Sequence, residues 1–343
     1  FIELFPILAA IRNPQPRNPD SKMFDQIVAP VSAQITEFTA RLDKALDSDV
    51  EKVRTMGRYL SENRGKHFRP ALSLLTAQAV GECSLSVIDA AVGIEILQTG
   101  TLIHDDVLDS AETRRGAEGL HIKWGNQAAI LMGDFLLAKA MEVLVGLGSM
   151  EVMEASTRAI RRMIEGEILE DEKGGDGELA IYFTMIDKKT ASLYALACEV
   201  GAILGGGSEE EIHNMSTFGN DVGMAFQITD DVLDFVGDEE TLGKPVGNDI
   251  REKKLTLPII RALKNCENGE AEGIRSKVHR GVSSAEDWKE IQTFVKRYGG
   301  IKHAREEARA YAESAERSLS SLPGSEAIEA LKLAVHSVVD RER

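Results

Sequence analysis

The five-residue string DDVLD occurs twice, at residues 105–109 and 230–234. Each copy closes a long apolar stretch that reads as a helix, over residues 86–109 and 216–238. On a helix the first and last aspartates of the string fall one turn apart on one face, with the second on the shoulder. Carboxylates at that spacing repel one another unless a cation sits between them. A single copy would read as a solvated face; two matched copies at the tips of two apolar helices do not. Oxygen-only clusters suit a hard divalent ion, magnesium above all, which keeps part of its water and shares its coordination with phosphate oxygens. Cysteine and histidine form no suitable array beside the acids, which disfavours zinc.

The rest of the chain must house those helices. Residues 126–147 form a third apolar helical stretch, and helices apolar on several faces belong in the middle of a bundle. Aromatics make up only 5% of the 343 residues, whereas Ala, Leu, Glu and Ile recur throughout, a bias toward helix over sheet. Breaks come as Gly, Pro and Asn punctuation rather than as alternating strands. With no Pro/Ser-rich linker, the expectation is one all-α domain over 23–343. Residues 1–22 read as a leader or appended segment ahead of Met23. Their apolar run, broken by Glu3 and Pro6, is too short to span a bilayer and lacks the flanks of a secretory signal.

Two polar stretches read as connections, 170–178 (EDEKGGDGE) and 237–258, the second long enough to close over a site as a lid. Gly205–Gly207 has no strand before it and no Lys-Ser/Thr after it, so it reads as a helix-ending turn. Cys83, Cys198 and Cys266 are widely spaced and odd in number, which points to buried thiols in a reducing cytoplasm.

A net charge of −16 argues against nucleic acid as a partner. A small anion is compatible only if cations are gathered locally. Arg114 and Arg115 follow the first motif, GKHFRP holds Lys66 and Arg69, KKT holds Lys189, and the second polar stretch holds Lys244, Lys253 and Lys254. Arginine forks onto phosphate oxygens and lysine acts as a point charge.

Taken together, GKHFRP, HDDVLDSAETRRG, KKTASLY and FQITDDVLDFVGDEETLGKPVGNDIREKKLTLP resemble, in order, the signatures of the trans-isoprenyl diphosphate synthases. The likeness runs over roughly residues 24 to 340. Class I terpene cyclases share the first motif, but their second metal motif differs from the DDxxD found here. The resemblance implies the isoprenoid synthase fold, an antiparallel helix bundle around a deep central cavity, acting as a homodimer. It implies condensation of isopentenyl diphosphate with an allylic diphosphate on three Mg²⁺ ions. Asp105 and Asp109 would hold two of these and Asp230 the third, supported by Asp106, Asp231 and Asp234. Arg114, Lys189 with Thr190, Lys244 and Lys254 would take the allylic diphosphate. Lys66, Arg69, Arg115 and, less typically, Gln98 would take isopentenyl diphosphate, and Gln227 would position the reacting groups.

Product length follows from what lies below the metals. Ile94, Gln98, Thr101 and Asp105 share a stripe of the first helix. In the family an aromatic residue four or five positions before the first aspartate acts as a floor; here those positions are Thr101 and Gly100, both small. Leu97 and, opposite, Leu136, Leu137 and Met141 are deeper floor positions. Burial of each added isoprene contributes on the order of 4 kcal/mol, so growth continues until sterics stop it, and the resemblance implies about C35 to C50, octaprenyl foremost. Geranylgeranyl or farnesyl diphosphate synthase is the alternative, and a non-catalytic subunit of a heteromeric synthase the reading from another class.

Overall fold

A computed structural model describes residues 19–114, 116–236, 247–267, 269–282 and 284–341. The fold is all-α. Helices α1 (Pro19–Val28), α2 (Ser32–Ala45) and α3 (Glu51–Glu62) precede GKHFRP, α4 (Phe68–Val80) begins within it, and α5 (Leu85–Leu108) follows. The strands β1 (Thr113–Arg114) and β2 (Ala117–Glu118) pair antiparallel and form the only sheet among the described residues. Next come α6 (Leu120–Trp124), α7 (Asn126–Gly146), α8 (Met150–Lys173) and α9 (Leu179–Ile186). A π-turn over Asp187–Ala191 leads into α10 (Ser192–Gly205) and α11 (Glu209–Val236). The chain ends with α12 (Asn248–Arg251), α13 (Leu257–Asn265), α14 (Glu270–Arg280), α15 (Ala285–Arg297), α16 (Gly300–Ser318) and α17 (Glu326–Val339).

The three apolar stretches of the sequence are α5, α7 and α11. Helix α5 packs chiefly on α7 and also on α2, α4 and α10, and Ile94, Ile96 and Leu97 are wholly buried. It is long and apolar enough to cross a bilayer, but its apolar window is 67% buried inside the protein, as expected of a core helix. Helix α11 serves two hydrophobic clusters. Met215, Phe218 and Val222 join α4, α5, α7 and α10, whereas Met224, Ile228, Val232 and Phe235 join α9 and α13–α16. A helix gripped by both clusters holds its C-terminal tip in a fixed place.

Helix α11 begins earlier than its apolar pattern. Ser208 and Glu211 cap it reciprocally: the Glu211 carboxylate accepts from the Ser208 N–H at 2.7 Å, and Ser208 Oγ from the Glu211 N–H at 3.4 Å. This is a capping box, whose Ser-x-x-Glu signature precedes the apolar period. The connection expected over 170–178 is shorter than read, because α8 continues through Lys173; Glu, Asp and Lys are compatible with an exposed helix end. Part of the second polar stretch is helical as α12, and its residues 237–246, with most of the 1–22 segment, lie outside the described residues. Gly206 ends α10 in the left-handed region, φ 83°, the turn expected of the triple glycine.

Helix α10 lies between α4 and α11, and glycines set the spacing. A Cβ on Gly201 would stand 2.3 Å from the Ser73 carbonyl oxygen, and one on Gly219 would stand 2.4 Å from that of Tyr194. Gly201→Ala should therefore lower unfolding stability by about 1–3 kcal/mol through overpacking. An unchanged denaturant midpoint would contradict this close approach.

Candidate active site

The first motif forms the last turn of α5, with Asp109 as its C-cap. No basic residue lies in that turn, although the helix dipole places its negative end there. The β-hairpin provides compensation. It returns Arg114 to Asp106, with Nε donating to Oδ1 at 2.7 Å and Nη2 within 2.5 Å of the same oxygen. Asp105 is pushed up to about 7 by burial first and by the Glu167 carboxylate second, against the pull of Lys189 and Arg114. Such an acid would lose its proton to solvent when a cation binds.

The second motif ends α11, again with no basic residue in the last turn. Asp231 is buried and accepts from Tyr182 at 2.5 Å and from Gln227 at 2.9 Å. Gln227 in turn accepts from the Thr190 hydroxyl at 2.8 Å, so the carboxylate is tied to α9, α11 and the π-turn. Asp231 is raised to about 7, by burial first, with Asp230 and Asp234 adding to the rise against the two hydrogen bonds. Asp249 on α12 donates its backbone N–H to Asp234 at 3.4 Å. Its own carboxyl lies well above the usual carboxylate range, through burial and then through Asp234, Asp231 and Asp230.

Lys254 connects the two tips. Its Nζ lies 3.3 Å from Asp109 of the first motif, and its charge also acts on Asp249 beside the second. The same ammonium meets Glu170 at 3.1 Å and Glu252 at 2.9 Å. Lys189 projects from the π-turn to Glu167 at 2.7 Å and Glu170 at 2.6 Å. Helix α8 can approach this turn because it carries Gly166, whose Cβ would stand 2.4 Å from the Lys189 nitrogen. Asp109 of the first motif, Asp249 beside the second and the two lysines are thus linked through Lys254 and Glu170.

A second group of cations lies at the start of α4. Lys66 is exposed ahead of the helix, and His67 adopts φ 54° at its N-cap, a conformation uncommon for a non-glycine residue. His67 Nδ1 sits 3.0 Å from Glu95. The Arg69 guanidinium lies 4.1 Å above the Tyr194 ring, and its buried Nε has no hydrogen-bond partner. A buried, unpaired guanidinium nitrogen calls for an anion. Tyr194 stacks on Phe226 at 5.4 Å, and Arg341 covers Phe226 at 5.3 Å. Helices α4, α10 and α11 and the C-terminal segment therefore carry this group together.

Asp109, Lys189 and Arg114 act on Asp105, and Lys254 meets Asp109; Thr190, Gln227 and Asp230 cluster with Asp231, and Asp106, Asp231 and Asp234 are buried. Gln98 and Thr101 are half-buried on the Asp105 stripe of α5. Gly100 and Leu97 are buried. A Cβ on Gly100 would point at α7, 3.2 Å from the Gly133 carbonyl oxygen and 3.3 Å from Leu136 and Leu137. Leu137 and Met141 are half-buried. Arg115 and Lys244 lie outside the described residues. Sequence reasoning passed over Tyr182, Glu167, Glu170, Asp249 and Arg341. Of these, Asp249 stands within the signature around the second acidic string, whereas Glu170 falls in the stretch expected to be a loop.

No three acidic, imidazole or thiol groups among the described residues converge closely enough to hold a metal ion alone. An ion here must complete its shell from water and ligand oxygens, as magnesium does with phosphate-bearing substrates. Oxygen-only donors and acids held above their usual range fit such an ion.

Residues 50–295 match the family model described as polyprenyl synthetase. The chain belongs to the polyprenyl synthetase family. It is an enzyme, a prenyltransferase. It is similar to a short chain isoprenyl diphosphate synthase of Methanothermobacter thermautotrophicus, 39% identical over 81% of this chain and 87% of the relative. It is also similar to the octaprenyl diphosphate synthase of Escherichia coli, 34% identical over 93% of this chain and 97% of the relative. Among solved structures, a polyprenyl synthase from Caulobacter crescentus complexed with calcium and isoprenyl diphosphate superposes with a TM-score of 0.89. That pair is 32% identical over 93% of this chain and 98% of the other.

Tyr182→Phe should remove one of the donors to the buried Asp231 and cost about 1–3 kcal/mol of stability. Chemical denaturation measures this, and a variant as stable as the parent would mean that the hydrogen bond does not hold Asp231.

Proposed function

We propose that this prenyltransferase condenses isopentenyl diphosphate with an allylic diphosphate at the space between the two carboxylate tips, as a single domain over 23–343. The observation that carries this reading is Lys254, which contacts Asp109 of one tip and acts electrostatically on Asp249, whose backbone N–H meets Asp234 of the other. In this proposal Asp105 and Asp109 hold two Mg²⁺ ions and Asp230 a third. Asp106, Asp231 and Asp234 keep those carboxylates in place. Bound magnesium supplies positive charge that takes up the negative charge of the leaving diphosphate.

The chain's own groups do the rest. Lys189, Lys254 and Arg114 stabilise the diphosphate more as its charge grows than in the ground state, which lowers the barrier to breaking the allylic C–O bond. Gln227, steadied by Thr190 and Asp231, orients the reacting ends. Lys66 and Arg69 bind isopentenyl diphosphate, with Arg341 as an added contact and Gln98 alongside, so that its double bond faces the allylic carbon. Attack of that double bond forms the new C–C bond. The departing diphosphate then takes the proton, since none of the carboxylates described stands out as a dedicated base. Arg115 and Lys244 keep the roles that the resemblance implies.

For product length we propose a long all-trans chain, with octaprenyl foremost. The small Thr101 supports it, and so does the full-length likeness to an octaprenyl diphosphate synthase. Exposed Ile130 and Leu131 on α7 and Ile164 and Ile168 on α8 support a homodimer joined through these helices. Cys83, Cys198 and Cys266 form no disulfide, which supports the cytoplasm as its compartment. The intact acidic motifs and their cations stand against a non-catalytic subunit.

Purified protein with Mg²⁺, an allylic starter and labelled isopentenyl diphosphate should form prenyl diphosphate unaided. Product formed only after a second protein is added would defeat the stand-alone reading. Asp105→Ala or Asp230→Ala should lower turnover by at least about 10²-fold with helical circular dichroism retained; near-normal activity would remove that residue from the metal shell. Thr101→Phe should shorten the product on chromatography, and an unchanged length would route the growing chain elsewhere.

A further inference from the structure

Glu170 meets two lysines with one oxygen. Its Oε2 lies 2.6 Å from Lys189 Nζ and 3.1 Å from Lys254 Nζ. The three residues come from three segments: α8, the π-turn, and the stretch between α12 and α13. The Glu170 side chain is only 14% exposed, a placement tolerated because both cations neutralise it. Its carboxyl is held below the usual range: the charges of Lys189 and Lys254 and their hydrogen bonds outweigh burial, the largest single influence, which pushes it up. Glu167 reaches Lys189 alone and Glu252 reaches Lys254 alone. Only Glu170, of these three, draws the two ammonium groups together.

Two ammonium groups brought to one point repel each other unless an anion lies between them. With Glu170 in place, Lys189 and Lys254 stand converged before any ligand arrives, so a ligand of several anionic oxygens has less ordering to drive. The same carboxylate then remains beside the bound anion as a like charge, which weakens the hold of the lysines. The two effects are separable. Convergence needs the length and polarity of the side chain, whereas repulsion needs its charge.

We propose that Glu170 is a positioning residue that converges Lys189 and Lys254 for the allylic diphosphate and, through its negative charge, speeds release of the diphosphate after the C–O bond has broken. This rests on the reading of the site as the diphosphate site of a prenyltransferase. Without Glu170 the lysines would bind the departed diphosphate too tightly or, if no longer converged, too weakly.

The test compares wild type, Glu170→Gln, Glu170→Ala and Glu167→Gln. Calorimetry with inorganic pyrophosphate and Mg²⁺ gives affinity, steady-state kinetics gives KM for the allylic diphosphate and kcat, and thermal melting checks the fold. Glu170→Gln should bind pyrophosphate more tightly, on the order of tenfold, with KM and kcat both lowered because release becomes slower. Glu170→Ala should bind it more weakly than wild type, and Glu167→Gln should change less than Glu170→Gln. A Gln variant that binds no more tightly than wild type, that weakens binding as Ala does, or that keeps an unaltered kcat overturns the proposal. Should wild type bind pyrophosphate yet make no prenyl product, the functional reading fails while the Glu170 comparison still gives its own answer.

Discussion

Two buried helices end on the charge that a helix end least accepts. The C-terminus of a helix carries partial negative charge and favours lysine or arginine nearby. Helices α5 and α11 finish with three aspartates each and no basic residue in the last turn. Burial deepens the conflict, raising Asp105 and Asp231 to about 7. Neither helix could hold this arrangement alone, so the surrounding elements are arranged to compensate. The β-hairpin returns Arg114 to Asp106, α9 brings the Tyr182 hydroxyl to Asp231, and Lys254 reaches Asp109. In the proposed reading, the divalent ions bound with a diphosphate supply the positive charge these elements leave wanting.

Packing turns that demand into a shaped site. Helix α11 belongs to both hydrophobic clusters, so the second tip is held while α5 and α7 hold the first. The π-turn is gripped from two sides by glycines: a Cβ on Gly166 would meet Lys189, and one on Gly223 would stand 2.6 Å from Ala191 Cα. These approaches fix where Lys189 and Thr190 emerge. Catalysis by charge stabilisation depends on such preorganisation, because groups already in place need no rearrangement when charge develops.

Much of this arrangement is legible in the amino-acid sequence. Long apolar runs mark α5 and α7 to within a residue at each end, because continuous burial leaves a signal that outlasts local propensity. The repeated acidic string marks the site, since a solvated surface would not impose identical carboxylate spacing on two apolar helices. What escapes is set by contacts distant in sequence. Tyr182 is one apolar aromatic among many until the fold brings it to Asp231, and Arg341 joins the Arg69 group only through stacked rings. Glu170 escapes for a different reason: charge and glycine in EDEKGGDGE read as a loop, although the last turn of α8 includes its first four residues. Gly100 shows the limit of side-chain size as an argument, because smallness there serves the α5–α7 contact.

The central claim is that the aspartates of both helix tips grip one diphosphate through shared divalent ions. Crystals grown with Mn²⁺ and pyrophosphate, measured at the manganese absorption edge, address it directly. Anomalous peaks should appear at Asp105 and Asp109 and again at Asp230, with a single pyrophosphate ligating ions of both groups. Manganese on one tip only, or pyrophosphate bound out of reach of the other, would contradict the account.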